Sequence, residues 1–296
     1  MSTLGFVGLG IMGTPMAGHL LAAGHTVYAY DRNPLPADLV AKGLTACASS
    51  KDVAARADIF FILVPDTPHV GAVLFGENGA AEGLRKGTIV VDMSSISPIE
   101  TKEYAKKIEA LGCEYIDAPV SGGEVGAKAA TLSIMAGGKE DVFAKVKPLF
   151  ELMGKNITLV GDVGAGQTAK VANQMIVAMN IQAVAEALLF AAKAGADPAR
   201  VRQALMGGFA GSKILEVHGE RMVKRTFEPG FRIALHQKDL NLALTAAKQM
   251  QIALPNTATA QEMFNACAAH GGSNWDHSAL IKALELLANF EIEKKA

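Results

Sequence analysis

The sequence predicts an α/β protein in which an N-terminal domain built on a parallel sheet is followed by an all-α C-terminal domain. Three observations carry this expectation. Short apolar runs alternate with helical patterns through the first half, strand-like runs stop after Gly161, and long Ala-, Leu- and Met-rich helical segments fill the rest. A chain of 296 residues favours about two domains. The boundary is therefore expected near residue 161, giving domains 1–161 and 162–296. With half of its residues hydrophobic, the chain has material for a core in each.

The elements follow in order. "TLGFVG" (Thr3 to Gly8), "TVYAY" (Thr26 to Tyr30), "IFFILV" (Ile59 to Val64), "TIVVD" (Thr88 to Asp92) and "EYID" (Glu114 to Asp117) read as strands, each ending in a turn signal. Stretches between them, such as Met12 to Ala23, have helical length and spacing, which is the βαβ rhythm of a parallel sheet. "SPIETKEYAKKIEALG" marks a helix by Ser97 as N-cap, Pro98 at the first position, Glu100 completing a capping box and Gly112 just past the end. "TLSIMAGG" and "ITLVG" read as two further strands. The segment from Gln167 to Ala194 is apolar on most faces and is expected to be buried in its domain or against a second subunit. Gly195 ends it, and Asp197 caps the next helix.

"GLGIMG", Gly8 to Gly13, lies between the first strand and the first helix. In a Rossmann turn the three glycines make the tight turn, admit the pyrophosphate against backbone, and allow helix to pack on strand. The pyrophosphate then meets the unpaired N–H groups and dipole of a helix N-terminus. Asp31 ends the next strand, close to the separation of about 20 residues expected of a ribose-binding acid. It favours NAD, because a 2′-phosphate would be repelled there. Arg32 beside it can pair with that phosphate, stack on adenine or stand solvated, so NADP stays possible.

Two segments are candidates for the chemistry. In "DAPVSGGEVGA" the Ser121 hydroxyl and the Gly122 and Gly123 backbone suit a small carboxylate, although a plain Gly-rich connection has the same composition. In "GAGQTAKVANQ" Lys170, Asn173 and Gln174 share one helical face. On residues alone Lys170 is open to two readings, a functional ammonium or a side chain that snorkels to solvent.

Composition excludes other classes. A net charge of −1 with 28 scattered Lys and Arg offers no field for a nucleic-acid backbone. Cys47, Cys113 and Cys267 are odd in number and form no CxxC, which points away from disulfides and zinc and toward a cytoplasmic protein. The N-terminus lacks a basic signal region, and Asn180, Gln182, Glu186 and Lys193 interrupt the long apolar helix, so no membrane partner is expected. His218, His236, His270 and His277 lack metal-ligand spacing; they are expected to cap or to lie at the surface, and no metal is expected. "WDHSAL" reads as a loop entering the last helix, with Asp276 or His277 near its cap.

"GFVGLGIMGTPM", "VDMSSISP", "DAPVSGGEVGA", "GAGQTAKVANQ" and "HQKDL" occur in an order and spacing that resemble the β-hydroxyacid dehydrogenase family over essentially the whole chain. The resemblance implies a 6-phosphogluconate dehydrogenase-like fold and a reduction of a small three-carbon aldehyde acid by NAD(P)H. It implies that Lys170 is the general acid/base, that Asn173 and Gln174 hold substrate beside it, and that Ser121, Gly122 and Gly123 bind its carboxylate. Gly8, Leu9, Gly10, Ile11, Met12, Gly13, Asp31, Arg32, Val64, Pro65, Ser95 and Lys238 then contact the cofactor. Ser95 stands where the family usually has threonine, which keeps the hydroxyl. Gln174 replaces an asparagine found in many relatives, which bears on substrate preference. Competing readings are another dehydrogenase activity of the same family, imine reduction on the same scaffold, and a non-catalytic dinucleotide-binding module. Imine reductases usually lack the lysine that Lys170 supplies. The greasy helix adds an expectation of a homodimer or homotetramer.

Overall fold

The computed structural model describes residues 2–293; Met1 and residues 294–296, the outer ends of the two expected domains, lie outside the described residues. The chain divides into two compact units, Met1–Lys170 and Val171–Ala296. The division falls inside a long helix rather than at Gly161. Its physical reason is that Gly164 and Gln167 are bonded to Asp117, and Gln167 also to Ser94 and Ile96, so the first turns of that helix belong to the sheet unit.

The first unit is a nine-stranded sheet with helices in the connections. Its strands are β1 (Thr3–Val7), β2 (Thr26–Tyr30), β3 (Thr45–Ala46), β4 (Ile59–Ile62), β5 (Ile89–Asp92), β6 (Glu114–Asp117), β7 (Val120–Ser121), β8 (Leu132–Gly137) and β9 (Gly154–Gly161). The helices are α1 (Gly13–Ala22), α2 (Ala37–Ala41), α3 (Ser50–Ala54), α4 (Thr67–Phe75), α5 (Pro98–Ala110), α6 (Gly123–Lys128) and α7 (Glu140–Phe150). Strand order is β3-β2-β1-β4-β5-β6-β8-β7, with β9 on β8. From β3 through β6 all neighbours are parallel, while β8 runs antiparallel to β6 and β7. The order reverses at β1 and β4, and dinucleotides bind such sheets at the carboxyl ends beside that switch point.

Two apolar layers cover the sheet. One gathers Leu4, Phe6, Met16, Leu20, Phe61 and Val91, the other Val7, Phe60, Ile62, Val70, Val90 and Ile108. Continuous burial of β4 and β5 is the mark of parallel strands covered on both faces. At α5 only half of the expected capping box forms. Ser97 Oγ accepts from Ile99 N–H, but Ser97 N–H donates to Thr67 Oγ1, so Thr67 takes the place that Glu100 was expected to fill.

The second unit is helical, comprising the continuation of α8 (Ala165–Lys193) with α9 (Pro198–Leu205), α10 (Lys213–Lys224), α11 (Ile233–Met250), α12 (Pro255–Ala269) and α13 (Leu280–Ala288). Gly195 follows α8 with φ +87°, and the Asp197 carboxylate accepts from Ala199 N–H to cap α9. By length and composition α8 would satisfy a membrane span, but Ala178, Ile181, Ala185 and Leu188 are fully buried in the core of this unit with Met222, Leu240 and Phe264. Asp276 caps a single 3-10 turn, His277–Ala279, that runs straight into α13.

Candidate active site

The Gly8–Gly13 turn joins β1 to α1 as its spacing predicts. A Cβ on Gly13 would run into the Gly8 carbonyl oxygen, so only glycine lets α1 start this close to β1. At Gly10 a Cβ would meet nothing within 4 Å, so the turn presents bare backbone to open space. No side chain caps the N-terminus of α1; Thr14 N–H donates to Gly10 O, and the helix dipole still favours an anion at this end. These features fit a dinucleotide pyrophosphate. Asp31, at the tip of β2, reaches back to the turn: its Oδ2 accepts Leu9 N–H at 2.7 Å, and its Oδ1 accepts Asn33 N–H at 2.8 Å. Leu9 is buried, whereas Ile11, Arg32 and Pro65 are exposed.

Further along the sheet edge, Val64 N–H donates to Ser94 Oγ at 3.0 Å, which ties the Val64–Pro65 connection to the segment carrying Ser95. Below that segment lies Asp92, fully buried and paired in register with Asp117 on β6. Asp92 accepts Ser94 N–H at 3.0 Å and Tyr115 Oη–H at 3.1 Å. Burial raises its pKa to about 7 against these hydrogen bonds, and burial raises that of Asp117 to about 6. Neither acid belongs to the residues the sequence singled out.

The substrate segment is structured rather than a free loop. Val120–Ser121 form β7 against β8, and α6 starts at once behind Gly122 and Gly123 with φ of +134° and +60°. Those angles turn the chain so that Ser121 and the first N–H groups of α6 sit at one corner. Lys170 lies in the second turn of α8 and is 7% exposed, which removes the reading in which it snorkels to solvent.

In the helical unit Asn173 Nδ2 donates to Gln174 Oε1 at 2.8 Å, and Gln174 Nε2 donates to Asp239 Oδ2 at 2.6 Å. Gln174 is buried and bridges Asn173 to Asp239. Lys238 pairs with the other Asp239 oxygen at 2.8 Å, so this lysine carries its own counter-charge. His236, on the same helix, bonds the Gln174 carbonyl oxygen through Nε2 at 3.0 Å. "HQKDL" thus braces the Asn173–Gln174 turn.

His270 is exposed as expected, whereas the other three histidines depart from expectation. His236 and His277 are buried and joined Nδ1 to Nδ1 at 3.0 Å, and His277 meets His218 Nε2 at 3.2 Å. Residues 41 and 59 positions apart leave no local spacing signal, which is why their meeting was not foreseen. His218, His277 and Asp276 are close enough to suggest a metal, but the Asp276 carboxylate already accepts from Gly230, Phe231 and Ser278 and pairs with Arg221 at 3.0 Å. A cation there would have to displace a guanidinium.

Asp117 and Gln167 are the functional candidates that sequence reasoning missed. Both stand inside the quoted motifs, but their bonds span 47 to 73 residues and leave no periodic trace.

Comparison with known proteins agrees with this geometry. Residues 3–161 match the family described as the NAD-binding domain of 6-phosphogluconate dehydrogenase, and residues 164–284 match the one described as NAD-binding of NADP-dependent 3-hydroxyisobutyrate dehydrogenase. The chain is 65% identical over 289 residues to 2-hydroxy-3-oxopropionate reductase of Escherichia coli K12, covering 98% of this chain and 99% of that one. A solved structure of Mycobacterium tuberculosis 3-hydroxyisobutyrate dehydrogenase with L-serine superposes with a TM-score of 0.88 at 34% identity, covering 96% and 99% of the two chains. An imine reductase from a Pseudomonas species shares the fold at a TM-score of 0.63 and 18% identity, with the same coverage. With a nicotinamide-dinucleotide-binding sheet domain, a helical partner domain and full-length relatives, the chain belongs to the β-hydroxyacid dehydrogenase family of NAD(P)-dependent oxidoreductases.

Proposed function

We propose that this enzyme reduces tartronate semialdehyde (2-hydroxy-3-oxopropanoate) to glycerate with NADH as the preferred cofactor. The observation that carries the reading is the 65% identity, over 98% of the chain, to an enzyme named for that reaction. When bound, NADH supplies the hydride that reduces the aldehyde carbon. The Gly8–Gly13 turn and the α1 N-terminus hold its pyrophosphate, Asp31 accepts from its adenosine ribose, and Val64, Pro65, Ser95 and Lys238 line its nicotinamide end.

Ser121 and the Gly122–Gly123 backbone take the substrate carboxylate. Lys170 donates a proton to the carbonyl oxygen as the aldehyde becomes an alcohol; in the reverse direction it accepts the hydroxyl proton. Asn173 meets the substrate hydroxyl, and Gln174 keeps the Asn173 amide oriented. A site built to bond that hydroxyl rejects analogues lacking it far more strongly than a greasy pocket rejects a missing methylene. The enzyme acts in the cytoplasm as a homodimer or homotetramer; its three unpaired cysteines suit a reducing compartment.

The test is a substrate panel read with NADH and NADPH. Tartronate semialdehyde with NADH is expected to give the highest kcat/KM. Higher efficiency with methylmalonate or succinic semialdehyde would place the enzyme in another branch of the family.

A further inference from the structure

Buried polar groups hold the start of α8 from two directions. Asp117, fully buried at the end of β6, accepts the N–H groups of Gly164 and Gln167, each at 2.7 Å. Gln167 is also fully buried, and its amide is committed to one segment: Nε2 donates to Ser94 O at 2.7 Å, and Oε1 accepts Ile96 N–H at 3.1 Å. Those two bonds bracket Ser95. Lys170 follows Gln167 on the same helix by just under one turn.

There is little slack in this joint. A Cβ on Gly166 would run into the Met135 carbonyl oxygen, and one on Gly137 would come within 2.6 Å of the Asp117 carboxylate. Sliding or rotating α8 to move Lys170 would therefore strand buried donors and acceptors, which proteins avoid. The two groups facing the Gln167 amide also restrict what can replace it. Ser94 O can only accept and Ile96 N–H can only donate, so the side chain must offer one donor and one acceptor.

We propose that Gln167 is a positioning residue for the reduction: it locks the helix bearing Lys170 to the Ser94–Ile96 segment, so that the proton donor and the nicotinamide end of the site keep one spacing, with Asp117 anchoring the helix beneath. This rests on Lys170 as the proton donor. Methionine at position 167 fills the same space and makes neither bond. A protonated glutamic acid copies the amide's donor and acceptor, and an ionised one loses the donor and faces the Ser94 carbonyl oxygen with a charge.

The experiment uses the full chain as Gln167→Met, Gln167→Glu and Lys170→Met. Each is followed by thermal melting, NADH fluorescence titration, and turnover with NADH and with NADH deuterated at the transferred hydrogen. Gln167→Met should keep NADH affinity within about threefold while kcat falls roughly 10- to 100-fold, because small misplacements of reacting groups cost on that order. Its isotope effect on kcat should rise above wild type as hydride transfer becomes the slow step. Gln167→Glu should approach wild-type turnover at acid pH, where a carboxyl buried near Asp117 and Asp92 keeps its proton, and fall away from the wild-type profile as pH rises. Wild-type kcat and isotope effect in Gln167→Met would overturn the proposal. So would a Gln167→Glu pH profile parallel to wild type, even if Gln167→Met fails to fold. Lys170→Met separates the two readings: full turnover there removes Lys170 as the acid, while the isotope effects of the Gln167 variants still report whether the joint sets the spacing.

Discussion

At the scale of single residues, Asp31 is the group expected to set the preference between the two cofactors. Its two oxygens accept Leu9 N–H and Asn33 N–H, which fixes the carboxylate at the edge of the Gly8–Gly13 turn. A ribose diol can donate to such a group, and a 2′-phosphate cannot. Arg32, exposed beside it, becomes the dominant charge once the carboxylate is gone. Asp31→Ser should therefore raise the NADPH/NADH ratio of kcat/KM by about tenfold or more, equivalent to relieving about 1.4 kcal/mol of partly screened repulsion. Paired initial-rate measurements with the two cofactors check this, and a wild type already faster with NADPH would reverse the ranking of Asp31 over Arg32. The place of Asp31 was legible in the sequence because it follows from position: a strand end, a preceding glycine turn and an acid. Gln174 was legible as a residue but not as a bridge, since its bond to Asp239 joins positions 65 apart.

At the scale of elements, the carboxyl ends of β5 and β6 bury two acids side by side. Asp92 and Asp117 are register partners, and nothing cationic is bonded to either among the described residues; their partners are N–H groups and the Tyr115 hydroxyl. Asp92 holds its proton up to about pH 7, well above the usual carboxylate range, because burial penalises its charge. The sign follows from linkage. Between about pH 4 and 7 the folded chain keeps a proton that the unfolded chain releases, so stability is complete below that window and is lost as pH rises through it. A shift of this size corresponds to up to about 4 kcal/mol for Asp92, and Asp117, raised to about 6, adds loss of the same sign. Asp92→Asn cannot ionise and should flatten that slope. Urea melts of both proteins from pH 4.5 to 8 test this, and parallel slopes would show that Asp92 does not carry the dependence. The strands holding these acids could be read from the chain as apolar runs ending in Asp. By contrast β3 and β7, each two residues long, are too short for any periodic pattern, and they exist only because β2 and β8 offer them an edge.

At the scale of the whole molecule, the helical half leaves a row of large apolar side chains exposed. The outward residues of α8 include Ala172, Ile176, Ala183, Ala187 and Phe190, with Ile176 58% and Phe190 76% exposed. Their spacing of four, seven, four and three makes one stripe along the helix. On α13, Leu286 and Leu287 are also exposed, and Phe190, Leu189 and Ala194 line a groove with Leu284, Leu287 and Ala288 to which Glu186 and Lys193 also contribute. The sequence foretold a helix too greasy for its own domain, but not which residues would remain outside, because that depends on where the other helices pack. Exposed apolar patches commonly serve association, and a two-fold copy presenting the same stripe is the partner expected to cover this one. A dimer or larger assembly is therefore expected in light scattering at micromolar concentration. Phe190→Glu combined with Leu287→Glu should shift it toward monomer, because an interface core does not accept two like charges left without partners. A wild-type chain that scatters as a monomer, or a double variant that keeps its full assembly, would remove this face as the interface.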